Sequence, residues 1–119
     1  MQTQEIAARL AELCSRGQFE AAQKELFAAD AVSIEPEATP AFAKETKGLG
    51  AIIEKGHKWE SMVEQIHGCT ASKPLIAGNA IAMTLAIDVT MKGRGRTKLE
   101  EVCVYEVKDG KIASEQFFM

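Results

Sequence analysis

LEEVCVYEVKDGKIASEQFFM, residues 99–119, carries the strongest local signal in the chain. Two apolar-rich runs flank Lys108-Asp109-Gly110-Lys111, and an Asp-Gly between such runs is a strong hairpin signal. Glycine takes positive φ without a Cβ penalty, and aspartate tolerates it. On the first arm Leu99, Glu101, Cys103, Tyr105 and Val107 share one face; Lys98, Glu100, Val102, Val104 and Glu106 share the other. On the second arm Ala113, Glu115, Phe117 and Met119 oppose Ile112, Ser114, Gln116 and Phe118. Neither arm has a clean polar face, which predicts a sheet covered by helices on one side and by a partner on the other. Glu101 and Glu115 each stand inside an otherwise largely apolar set.

Working outward, Asn79 to Lys92 alternates most clearly, with Met83, Leu85, Ile87, Val89 and Met91 on one face. Asp88 falls on the other face, which gives it a structural or interfacial role. A further strand is expected from about Glu64 to Ser72. Upstream, Gly48 precedes a helix with the stripe Leu49, Ile52, Ile53, Gly56, Trp59 and Val63. Residues 37–47 read as a loop with one short strand around Phe42 to Glu45. Ala31 to Glu35 is a short strand ended by Pro36. Before it come two amphipathic helices. One runs from about Thr3 to Arg16 and is stopped by Gly17; the other begins at Phe19 and ends near Ala28 to Asp30. Helices first and long antiparallel strands after them give an α+β order. Residues 1–119 make one domain. The expected core includes Ile6, Leu10, Leu26, Ile52 and Leu85.

Composition excludes several function classes. The 17 acidic against 14 basic residues leave a net charge of −3, which argues against nucleic-acid binding. The basic cluster Lys92 to Arg96 reads as a solvated turn. No apolar run is long enough to span a bilayer, and the N-terminus lacks the order of a secretory signal. Cys14, Cys69 and Cys103 have no metal-ligand spacing and cannot all pair. They read as reduced thiols of a cytoplasmic protein. No metal site and no cofactor is expected.

The phrase LFAADAVSIEP (residues 26–36), the G-x-x-A-I helix start at Gly48 to Ile52 and the closing YEVKDGKI (residues 105–112) resemble the nuclear transport factor 2-like superfamily. Within it the chain is similar to the SnoaL-like and ketosteroid isomerase-like small proteins. The resemblance implies a cone: a curved antiparallel sheet wrapped around three helices, with an apolar pocket in its mouth. It also implies a homodimer, here through the convex face carrying Val102, Val104 and Phe118, with Asp88 and Thr90 near the contact. In the isomerases an Asp-Pro pair ending the first strand supplies the base, and the matching pair here is Glu35-Pro36. Their helix-borne tyrosine matches Leu10, and their protonated aspartate matches Cys103 or Glu101. The His-x-Asp of SnoaL-like cyclases matches Glu115-Gln116-Phe117. The site implied is therefore Glu35, Glu101 and Glu115, in a pocket lined by Trp59, Met83, Leu85, Ile87, Cys103, Tyr105 and Phe117.

Each candidate has a plainer reading beside the functional one. Glu35 fits a solvated rim, Glu101 a structural hydrogen bond, and Glu115 an ion pair with a lysine. His57 reads as solvated and His67 as a structural histidine near a strand start. Two functions follow. One is isomerase-, cyclase- or dehydratase-like chemistry on a small apolar carbonyl compound, with Glu35 as the base and a protonated Glu101 or Glu115 beside it. The other is a non-catalytic module that binds a small apolar ligand or dimerises.

Overall fold

The computed structural model describes residues 1–119. Three helices, α1 (Thr3–Ser15), α2 (Phe19–Leu26) and α3 (Leu49–Ser61), pack on one curved sheet. Its strands are β1 (Phe27–Ile34), β2 (Glu45–Lys47), β3 (Val63–Ala71), β4 (Leu75–Ala77), β5 (Ala80–Met91), β6 (Gly95–Lys108) and β7 (Lys111–Phe118). The spatial order is β2-β1-β7-β6-β5-β3, with β4 on β5. Neighbours are antiparallel except for one pair: β1 runs parallel to β7, so the expected all-antiparallel sheet is mixed at this seam. The helices between and around these strands supply the crossover that a parallel pair requires.

The β6–β7 hairpin closes on Asp109 (φ 53°) and Gly110 (φ 75°). Two successive positive φ values match the right-handed twist of the strands they join. The alternation read from β6 holds, since Cys103, Tyr105 and Val107 are all buried. On β7 it does not hold throughout. Glu106 pairs with Ser114 but Val107 pairs with Ile112, so Ala113 is an extra residue on β7. Such a bulge changes the phase of the side chains by one residue. Ile112 therefore turns inward and is fully buried, on the same side as Glu115.

α2 stops at Leu26, earlier than its alanines suggest. Phe27 is already extended, and β1 gains a whole partner strand in β7. Tertiary pairing outweighs the helix preference of Ala28 and Ala29. The short strand of the 37–47 segment lies later than expected, at Glu45–Lys47. The inner face of β5 is buried from Met83 to Met91, and Ile6, Leu10, Leu26, Ile52 and Leu85 all lie in the common core. At an order of 25 cal/mol per Å² of apolar surface removed from water, this layer between helices and sheet is the main source of stability. The outer face stays open, with Val102 41% and Phe118 49% exposed. No helix is long and apolar enough to cross a membrane.

Candidate functional site

Between α3, the helical pair and the inner face of β5, β6 and β7 lies a cavity of about 470 Å³. That is a usual size for a small-molecule site. Its wall is mostly apolar, with Phe19, Phe27, Leu85, Ile87, Leu99 and Tyr105 among its members. Trp59 and Phe117 also line it, as expected; Met83 and Cys103 do not. Both are buried in the core beneath the wall, Met83 directly opposite Cys103 on neighbouring strands. Cys103 falls between Glu101 and Tyr105 on the inner face of β6, and those two longer side chains line the cavity where its short one does not. Cys103 does touch the site from behind, its thiol lying 3.7 Å from Glu101 Oε1.

All three glutamates line this one cavity. Glu35 follows β1 at the start of the 35–44 loop, whose first turn also brings Pro36, Glu37, Thr39 and Phe42 to the mouth. Lys58 of α3 pins that loop by donating to the Ala41 carbonyl and by standing over the Phe42 ring, 5.3 Å from its centroid. Glu101 comes from β6 and Glu115 from β7. Ser33, on β1, lies opposite Glu115 in the parallel pairing, and its hydroxyl donates to Glu115 Oε1 at 2.9 Å.

Lys55 connects them, a residue that the sequence reading does not pick out. Its ammonium donates to Ser33 Oγ at 2.6 Å and to Glu35 Oε1 at 3.0 Å. The result is a continuous polar chain, Glu35–Lys55–Ser33–Glu115, running from the cavity mouth to a fully buried carboxyl. An apolar wall alone would strip Glu35 of water without giving it a cation. Lys55 supplies that cation, and it does so from inside the cavity wall. The signal was present in α3. Ile52, Lys55, Gly56 and Trp59 follow helical spacing, and Lys55 is the charge embedded in that stripe.

Burial and charge shape the acids. The Glu101 carboxyl is pushed up to about 7, first by burial and then by the negative charge of Glu35. Glu115 is also pushed up to about 7, chiefly by burial, with Lys55 and Ser33 pulling the other way. Such values suit proton transfer near neutrality. The thiol of Cys14 lies on the wall, but burial raises it to about 12, which disfavours a thiolate nucleophile. His57 is on the surface, paired with Glu20, and His67 is bonded to Thr90 outside the cavity. No three His, Cys, Asp or Glu side chains cluster in a way that could hold a metal ion.

The SnoaL-like domain model matches residues 1–119. The chain belongs to the SnoaL-like domain family. A protein from Mesorhizobium loti named as a SnoaL-like polyketide cyclase is 32% identical, with 100% of both chains covered and a TM-score of 0.91. At lower identity the likeness shows the fold alone. A protein with a ketosteroid isomerase-like fold from Catenulispora acidiphila, in complex with trimethylamine, is 21% identical over 99% of this chain and 87% of that one, at TM-score 0.70. TerC, co-crystallised with polyporic acid, is 14% identical over 98% of this chain and 90% of its own, at TM-score 0.79. No curated protein matches the sequence. The chain thus shares its family with a SnoaL-like polyketide cyclase and its fold with ketosteroid isomerase-like proteins.

Proposed function

We propose that this SnoaL-like protein is an acid–base enzyme of the isomerase or cyclase type, acting on a small apolar carbonyl compound. The observation that carries the reading is the meeting of Glu35, Glu101, Glu115 and Lys55 on the wall of one otherwise apolar cavity. A proton-transfer site needs at least two polar groups within reach of one small molecule. In this reading Glu35 takes a proton from the carbon next to the carbonyl. Glu101, protonated near neutrality, donates a hydrogen bond to the oxygen as the enolate forms. The proton then returns to a different carbon, or the enolate attacks within the same molecule. The cyclase relation of the Mesorhizobium loti protein and the polyporic acid bound to TerC are consistent with flat oxygenated ligands.

The convex face points to assembly. Val102 and Phe118 present exposed apolar surface beside the half-buried Val104, and a two-fold dimer through this face is part of the proposal. Three free cysteines fit a reducing, cytoplasmic setting. A second reading is a binding module without chemistry. It is favoured by Leu10, buried where the resembled isomerases carry a tyrosine.

Solvent deuterium exchange separates the two. Flat cyclic ketones that raise the melting temperature are incubated with the protein in deuterated buffer, and label at the α-carbon is followed by NMR. Catalysed exchange that Glu35→Gln abolishes is the expected result. A ketone that binds without exchanging leaves the binding-module reading in its place.

A further inference from the structure

Glu35, Glu37, Glu101 and Glu115 are the acids of the cavity wall, and Lys55 is its cation. An ammonium carries three N–H donors. Ser33 takes one and Glu35 another. Lys55 lines the cavity and its side chain keeps 16% exposure, which leaves the third donor for a ligand. Nζ stands over the Phe117 ring, 5.6 Å from its centroid.

The spacing narrows the chemistry. In an enolisable ketone the carbonyl oxygen and the acidic C–H sit on adjacent carbons. An ammonium and a carboxylate held 3.0 Å apart address both ends of that unit together. We propose that Lys55 anchors the oxygen of the ligand and meets the enolate charge, while Glu35 beside it takes the α-proton. The substrate class is then an uncharged ketone that carries an α-hydrogen and whose oxygen becomes anionic during the reaction. The inference rests on the acid–base reading above for the role of Glu35, and on the cavity being the ligand site.

The electron count supports the pairing. The C–H bond breaks, its proton goes to Glu35, and its electron pair moves through the carbonyl onto oxygen. Protonating Glu35 ends its ion pair with Lys55. The ammonium's attraction therefore passes from the base to the oxygen at the moment the oxygen gains charge. An interaction stronger in the transition state than in the ground state accelerates the step. In this scheme Ser33, itself fixed by its bond to Glu115, holds Nζ in place and does not touch the substrate.

Phenols imitate the enol, and nitrophenols report their ionisation by colour. The test is absorbance titration of 4-nitrophenol and its methyl ether into the wild-type protein, Lys55→Met and Lys55→Arg, with circular dichroism to confirm folding. The wild type is expected to bind the phenol roughly ten- to a hundredfold more tightly than the ether, the usual weight of a charged hydrogen bond. The bound phenol is expected to be more ionised than the free phenol at the same pH. Lys55→Met should lose both effects and Lys55→Arg keep the ionised signature. Equal affinity for phenol and ether in the wild type overturns the proposal, even where Lys55→Met does not fold. So does an unshifted spectrum, or a folded Lys55→Met that binds phenolate like the wild type. Deuterium exchange is read separately. Lys55-dependent phenolate binding without exchange removes the enzymatic reading and keeps the oxygen anchor. Exchange that needs Glu35 but tolerates Lys55→Met removes the anchor alone.

Discussion

Asp88 and Glu101 sit on adjacent strands of one sheet and on its opposite faces, and their environments push them in opposite directions. Asp88, on the outer face of β5, accepts two hydrogen bonds from the Arg96 guanidinium, at 3.0 and 2.8 Å. That pairing holds its carboxyl below the usual carboxylate range. Glu101, on the inner face of β6, is enclosed by apolar groups and repelled by Glu35, and its carboxyl rises to about 7. One sheet thus carries an acid fixed as an anion and an acid poised to exchange a proton. Which face a residue occupies, more than which strand, decides what its carboxyl can do.

Activity should expose the widest gap between the faces. Glu35→Gln keeps the shape of the side chain and removes the base, so exchange into a true substrate should fall roughly 10²–10⁴-fold, the usual scale for a positioned base. Asp88→Asn, across the sheet from the cavity, should leave that rate unchanged. Equal losses in the two variants, measured by NMR exchange rates, would break the comparison at its root. Packing comes next. Ile81 is fully buried on the inner face of β5, and Ile81→Ala should cost about 2–5 kcal/mol in denaturant titration. On the outer face, Val102→Lys should leave the fold intact and turn the proposed dimer into a monomer in sedimentation experiments. A monomeric wild type at micromolar concentration would end that part of the reading.

The inner and outer faces also differ in how far their roles were legible in the sequence. Alternation along β5 named the buried set from Met83 to Met91 because its period is undisturbed. The same reasoning went astray on β7, where the bulge at Ala113 reverses the phase and turns Ile112 inward. A bulge depends on the partner strand, and a single run of residues carries little sign of it. The parallel β1–β7 seam is a long-range feature of the same kind. At the site, Glu101 and Glu115 were readable as carboxyls out of place in apolar surroundings, while Glu35 came from the resemblance through its Asp-Pro match. Their common cavity came from the resemblance. Lys55 was passed over because a lysine on a helix usually faces water. Its meaning depends on Ser33 and Glu35, 22 and 20 positions away in the chain.

The pH dependence of stability should sharpen the contrast through its sign. Glu101 and Glu115 have folded values of about 7 against an ordinary 4.5. Folding therefore takes up protons in that interval. The stability these groups contribute is full below about pH 4.5 and is lost as pH rises through about 7. Loss of a few kcal/mol over this window is expected, since a tenfold change in a group's proton affinity on folding is worth about 1.4 kcal/mol. Glu35, Lys55 and Ser33 face Glu115, and Glu35, Lys55 and Cys103 face Glu101, so the two titrations are coupled. Glu101→Gln should flatten the curve of melting temperature against pH. A variant curve that keeps the wild-type fall would show that the inner carboxyls are not its source.

Asp88 should give the smallest effect, and the opposite sign. Its carboxyl is lowered first by the Arg96 hydrogen bonds, so its contribution is present above the ordinary value of 3.8 and is lost as pH falls through the lowered one. The pair is open to water, with the Asp88 side chain 38% and the Arg96 side chain 63% exposed, so solvent screens most of the attraction. Salt should weaken it further, since exposed charges are screened over about 8–10 Å at ordinary ionic strength. Asp88→Asn should therefore shift the melting temperature slightly at low salt and not at all at high salt. The inner-face response to pH should survive the same salt, because its main cause is burial. One circumstance would change the outcome for Asp88. If the convex face is covered in a dimer, the Asp88–Arg96 pair loses its water, and removing one partner leaves an unpaired charge at the interface. A salt-insensitive loss of stability in Asp88→Asn that grows with protein concentration would place the pair inside the contact. A small, salt-sensitive loss would place it on the open rim, leaving Val102 and Phe118 to form the contact without it.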